Sequence, residues 1–206
     1  MDGDTLVVPR AEFSIEEPWA IPGACRPVDL LRSTDGTRPR LATRVAVYRD
    51  KSFLPVVFAG QDDGVVATHL EHDAPLWQED VMEIFIAPAD LKTYFEIEVN
   101  PLGTSFDARI VSPEGVRQSM SPDLAWTCNG LLAAVRRTPS TFDLLMRFPF
   151  ESLGVEAPRR GSIWRANLFR VDHDAVRGDE YSAWRPTMKT PADFHVTAAF
   201  GRFEFA

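Results

Sequence analysis

Apolar residues in this chain fall in short runs with a period of two, and helical periodicity is almost absent. Residues 94–100 show it best. Phe95, Ile97 and Val99 point to one side of an extended chain, and Tyr94, Glu96, Glu98 and Asn100 point to the other. Residues 81–88 (VMEIFIAP) are almost continuously apolar, the pattern of a strand buried on both faces, with Glu83 as the one charge. Residues 43–50 and 52–61 are rich in valine and aromatic residues and bounded by turn formers. Pro55 predicts an edge position or a bulge for the second of these. Further strands are expected in TSFDARIV, GLLAAVRR, FDLLMRFPF, WRANLFRVD, YSAW and FGRFEFA, with one helical turn near residues 151–153. Eight or more strands at hairpin spacing predict an all-β fold, a sandwich rather than a barrel. The 16 prolines and 12 glycines are scattered, so no linker is expected and residues 1–206 read as a single domain. Within it, residues 1–42 read as an N-terminal strand and loops, and residues 43–206 as the sandwich core.

Composition narrows the partners. The formal charge of −8 over 206 residues argues against a nucleic-acid partner, which would need a clustered basic face. No apolar run approaches the roughly 18 residues of a membrane span, so no membrane partner is expected. The start, MDGDTLVVPRAEF, lacks the pattern of a secretory leader, and the expectation is cytoplasmic unless a signal peptide has been removed. Cys25 and Cys128 do not make a disulfide framework and are expected as two separate thiols. No CxxC, HExxH or GxSxG motif occurs.

Candidate chemistry centres on aromatic and acidic residues. Trp77, in HDAPLWQED, and Trp184, in YSAWRPT, sit in polar, proline-containing contexts unlike a plain core strand. Such an aromatic either stacks on the apolar face of a sugar ring or anchors its loop. The polar groups near them in sequence are Glu83, Glu96, Glu98, Asn100, Arg165, Asn167 and Arg170, which have the donors and acceptors that bond vicinal hydroxyls. Alternation alone would also place Glu96, Glu98 and Asn100 on a solvated face. Glu83 differs, because a charge inside so apolar a run is costly unless it is paired or functional. Paired glutamates leave a glycoside hydrolase open as an alternative. His69 and His72 read as surface residues, and the loop carrying Asp172, Asp174, Asp179 and Glu180 as a solvated acidic segment.

The segments PLWQEDVMEIFIAP, YFEIEVNPLGTSFD, SIWRANLFRVD, YSAWRPT and FHVTAAFGRFEF, in this order, resemble the family 9 carbohydrate-binding modules. These belong to the wider group of DOMON-type β-sandwiches, which bind sugars or haem. The resemblance covers about residues 43–206, and EEPWAIP is similar to the family's N-terminal strand. It implies an antiparallel β-sandwich of immunoglobulin-like or jelly-roll type and a non-catalytic module. In that family a terminal sugar unit lies between two aromatic rings, with its hydroxyls held by charged and amide groups. The first ring falls on Trp77, the strand glutamate on Glu83 and the strand asparagine on Asn100. Two positions depart: Glu98 stands where sugar-binding members carry arginine, and Phe194, followed by His195, where they carry the second tryptophan. Trp184 matches a tryptophan of structural type. The implied ligand-binding set is Trp77, Glu83, Glu98, Asn100, Arg165, Asn167 and Phe194, and the implied partner an oligosaccharide or polysaccharide end. No cofactor is required, and structural Ca²⁺ is the one ion the resemblance leaves open. The wider group suggests a haem-binding electron-transfer domain as the alternative, with ligands drawn from His69, His195, Met82, Met120, Met146 and Met188.

Overall fold

The computed structural model describes residues 3–206, in which fourteen strands and four short 3-10 turns occur and no α-helix. The strands are β1 (Thr5–Val8), β2 (Val28–Asp29), β3 (Leu31–Arg32), β4 (Thr43–Val47), β5 (Phe53–Gln61), β6 (Val81–Ala87) and β7 (Thr93–Val99). They continue as β8 (Ser105–Val111), β9 (Ser121–Asp123), β10 (Leu132–Thr138), β11 (Thr141–Pro149), β12 (Ile163–Asp172), β13 (Glu180–Ala183) and β14 (Gly201–Phe205). The helical turn expected near residues 151–153 is the 3-10 turn Phe150–Leu153.

Two sheets form the sandwich. The larger has nine strands, in the order β1-β14-β12-β6-β7-β8-β9, with β13 joining β12 to β3. The smaller has five, in the order β10-β11-β5-β4-β2. Pairing is antiparallel except between β1 and β14, which run parallel. The expectation for Pro55 is corrected here: β5 is central, between β11 and β4. The proline is tolerated because β4 ends at Val47, so the N–H that Pro55 lacks would point past the end of that strand; Tyr48 N still donates to Pro55 O at 3.2 Å.

The core follows from the period of two. Val56 and Phe58 of β5 and Leu144 and Met146 of β11 face Met82 and Ile84 of β6, Ile97 of β7 and Leu168 of β12, all fully buried. A buried ion cluster sits between the sheets. The Arg170 guanidinium, 2% exposed, bonds Asp62 at 3.0 Å, Asp172 at 2.9 Å and Thr43 at 3.1 Å, tying β12 to the start of β4 and the end of β5. Cys25 and Cys128 are both free and buried, as expected.

Sheet faces usually pair once, against another sheet, and meet water on the other side. Here the central strands of the larger sheet are covered on both faces. A second apolar cluster, including Phe85, Tyr94, Phe106, Phe169, Phe194 and Phe200, lies on its outer face under the loops. The functional candidates lie there.

Candidate functional site

Three glutamates meet on the outer face of the larger sheet. Glu83 of β6 lies directly opposite Glu98 of β7, and Glu96 lies two residues along β7, on the same face and opposite Phe85. One oxygen from each of the three lies within 4.8 Å of the others. The alternation that allowed a solvated face is real, but the face is covered: Glu83 is 2% exposed, Glu96 6% and Glu98 0%. Apart from the neighbouring Glu96 carboxyl, no N–H or hydroxyl among the described residues donates to Glu83 Oε1 or to either oxygen of Glu98.

Like charges opposite one another on a buried sheet face repel. Burial, and then the neighbouring Glu96, hold the Glu83 carboxyl well above its ordinary range. Burial, followed by Glu83 and Glu96, does the same to Glu98. Burial carries Glu96 to about 7, opposed by a hydrogen bond with the Glu98 carboxyl and by Arg117. His195 is pushed down to about 4 by burial and then by Arg117, so its ring is neutral. Its Nδ1 lies 2.7 Å from the Tyr94 hydroxyl and its Nε2 3.9 Å from Glu96 Oε1.

These groups form the floor of a pocket of about 430 Å³. Trp77, carried on the 3-10 turn Leu76–Gln78, forms one wall. It is 46% exposed, with its ring edge-on to Phe106 at 5.2 Å. Phe194 and His195 form another wall, and Phe194 is backed by Phe169, stacked at 4.1 Å. Arg117 and Met120 stand at a third side. Two contacts hold that side against the Phe194 segment: Arg117 Nε donates to Asp193 at 2.9 Å, and Thr197 N donates to Gly115 O at 3.1 Å. Gly115, at φ +71°, has no room for a Cβ, which would run into the Thr197 hydroxyl.

Of the seven residues named from sequence, the pocket gathers four: Trp77, Glu83, Glu98 and Phe194. The other three are placed elsewhere, with their polar atoms engaged by backbone. Asn100 closes the β7–β8 turn, its amide donating to His69 O at 2.9 Å and accepting from Leu102 N at 2.9 Å and Thr104 N at 3.0 Å. Asn167 latches Arg185 through both its N–H and its carbonyl. Arg165 donates to Phe200 O and Gly201 O. Trp184 is a core residue, packed so closely over Gly201 that a Cβ there would strike its ring. Arg117 and Tyr181 line the pocket without having been singled out in the sequence; SPEGVRQSM carries no pattern that marks its arginine. Of the residues named for haem ligation, Met82 and Met146 are sealed between the sheets.

The acidic residues near β12 are partnered. Asp172 pairs with Arg40 at 2.6 Å as well as with Arg170, Asp174 pairs with Arg177, and Asp80 accepts from Val66 N and His173 N, each at 2.7 Å.

Residues 26–205 match the family model described as Carbohydrate-binding family 9. A protein of Arthroderma benhamiae named "Extracellular protein" is 29% identical over 141 residues, which cover 63% of this chain and 62% of that relative's length. A candidate carbohydrate-binding protein from Bacteroides uniformis is similar in structure, with a TM-score of 0.74 at 15% identity over 98% of this chain and 99% of that one. A family 9 carbohydrate-binding module from Caldicellulosiruptor kristjanssonii is similar in two complexes. With cellotriose the TM-score is 0.68 at 11% identity, covering 98% of this chain and 93% of that one. With glucose it is 0.69 at 12% identity, covering 98% and 95%. At these identities the structural likeness speaks for the fold.

Proposed function

This chain belongs to carbohydrate-binding family 9, and on that premise we propose that its pocket holds the terminal sugar unit of an oligosaccharide or polysaccharide without cleaving it. The observation that carries this reading is one cavity joining a half-exposed indole to a floor of buried carboxyls. A pyranose ring has an apolar C–H face and a rim of hydroxyls. Trp77 offers a flat surface at low entropy cost for the first. Glu83, Glu96 and Glu98 serve the second: a protonated carboxyl donates to a hydroxyl, and an ionised one accepts from it. The cellotriose and glucose held by the structurally similar family 9 module support a sugar as the ligand class.

The placement of the carboxyls supports binding over hydrolysis. Glycosidic cleavage uses two carboxyls that flank the scissile bond. These three stand side by side on adjacent strands of one sheet face, hence on one side of any ligand. The pocket is also shallow enough to leave Trp77 half exposed, so affinity in the weak to moderate range is expected.

Calorimetric titration with glucose, cellobiose and xylobiose, with and without Ca²⁺, tests the reading. The expected result is a saturable heat with at least one sugar. In Trp77→Ala, affinity should fall at least tenfold while the circular dichroism spectrum is retained. Full binding by that variant, or silence from every sugar with folded protein, overturns the assignment. A Ca²⁺ requirement would show as a heat that chelator removes.

A further inference from the structure

The pocket floor gathers more carboxyls than hydroxyl binding requires. Three carboxyls converge at its base, each at least nine-tenths buried, and Glu98 is fully buried with no polar partner beyond the Glu96 carboxyl beside it. Buried acceptors left without donors are costly, and a buried carboxylate without a cation more so. The cation that lines the pocket, Arg117, has a half-exposed side chain and is bonded to Asp193 at 2.9 Å. Of the other polar neighbours, His195 and Tyr94 are engaged with each other at 2.7 Å, and the Tyr181 hydroxyl bonds Asp179.

What would complete this floor is a compact group with several N–H donors and a positive charge. An ammonium has three N–H bonds in tetrahedral directions and no acceptor. Three oxygens around one ammonium nitrogen, each at about 2.8 Å, lie about 4.6 Å from one another. The three glutamate oxygens lie within 4.8 Å of one another. A divalent cation suits the site less well. Calcium takes about six to eight oxygen ligands, whereas the walls beside the carboxyls are the rings of Phe85, Phe106 and Phe194. The pocket's 430 Å³ also matches a small organic ligand rather than a bare ion.

We propose that the sugar unit this pocket selects carries a free primary amine, whose ammonium seats among Glu83, Glu96 and Glu98. The inference rests on the sugar-binding reading above and narrows it to amino sugars. N-acetylation would abolish the preference, because an amide nitrogen is uncharged and keeps a single N–H.

The experiment is calorimetric titration at pH 7 with glucosamine, glucose and N-acetylglucosamine in parallel, and with CaCl₂ alone. Glucosamine should bind at least tenfold more tightly than the other two. Glu98→Gln should lower the ratio of glucosamine to glucose affinity at least tenfold, and Glu83→Gln provides the same reading should the first variant fail to fold. Equal affinity for glucose and glucosamine overturns the amine inference and leaves the sugar-binding reading standing. Silence from all three overturns the amine inference, and silence from cellobiose and xylobiose as well, with folded protein, overturns both. A saturable heat with CaCl₂ that Glu98→Gln removes, together with no preference for glucosamine, assigns the glutamates to a cation and overturns the inference.

Discussion

At the residue scale, the glutamate floor makes stability depend on pH in a definite direction. A carboxyl whose pKa rises on folding is protonated more readily in the native state than in the unfolded chain. Its contribution is full below the unfolded value and is lost as pH climbs through the folded one. For Glu96 that window runs from the ordinary 4.5 to about 7, and Glu83 and Glu98, also raised, contribute with the same sign. Asp80, raised to about 6 by burial, has the same sign. His195 acts oppositely, but only between its ordinary 6.5 and about 4, where the unfolded chain binds the proton more readily. Above pH 6.5 the carboxyls act alone. Thermal unfolding is therefore expected to show Tm falling between pH 6.5 and 8, by an amount corresponding to about 1–2 kcal/mol for one group. Glu96→Gln should flatten that fall; an unchanged slope would place the titrating group elsewhere. Trp77 belongs to this scale too. As it is 46% exposed, its replacement by alanine is expected to leave Tm within about 4 °C while removing sugar affinity.

At the scale of elements, the central strands of the larger sheet, β6, β7 and β12, serve two cores. The Phe95, Ile97 and Val99 side of β7 fills the space between the sheets, while Glu96 and Glu98 face the pocket and Tyr94 packs into the apolar cluster beside it. A slip of one residue between β6 and β7 would exchange these faces, so the register needs a firm turn beyond β7. Asn100 supplies it through three hydrogen bonds to backbone. Asn100→Ala leaves those backbone groups without their partner. The expected cost is about 1–3 kcal/mol in urea unfolding, with a smaller effect on sugar Kd than Trp77→Ala. A variant as stable as the parent but unable to bind would mean that Asn100 acts on the ligand instead. At the far edge of the smaller sheet, β10 is largely exposed and carries Arg136 and Arg137. Arg136 reaches Asp143 on β11 at 2.8 Å, and such charges discourage pairing with another chain.

At the scale of the whole molecule, the sheets are joined by apolar packing and by one buried ion cluster. Arg170 comes from the strand that also lays Phe169 and Val171 under the pocket, so the clamp and the site share β12. Arg170→Met would leave Asp62 and Asp172 buried without their shared partner, although Asp172 keeps Arg40. The expected loss is about 3–5 kcal/mol, read as a fall in the urea midpoint without a change in slope. A variant of unchanged midpoint would show that the remaining contacts of the two aspartates satisfy them.

The sequence by itself determined the class, most strand positions and the parity of each strand. Side chains alternate across a pleated backbone, so apolar spacing in β6, β7 and β12 can be read directly. It also marked Glu83, because a lone charge in an apolar run has to be accommodated. Only the tertiary structure decided what those faces meet. Whether Glu96 and Glu98 are solvated or buried depends on loops distant in sequence, which bring Trp77, Arg117 and Phe194 over the sheet. The register that sets Glu83 opposite Glu98 joins separate strands and appears in neither one alone. Asn100, Arg165 and Asn167 show the converse limit. Their chemistry suits a ligand or a backbone equally well, and the fold set backbone groups within their reach.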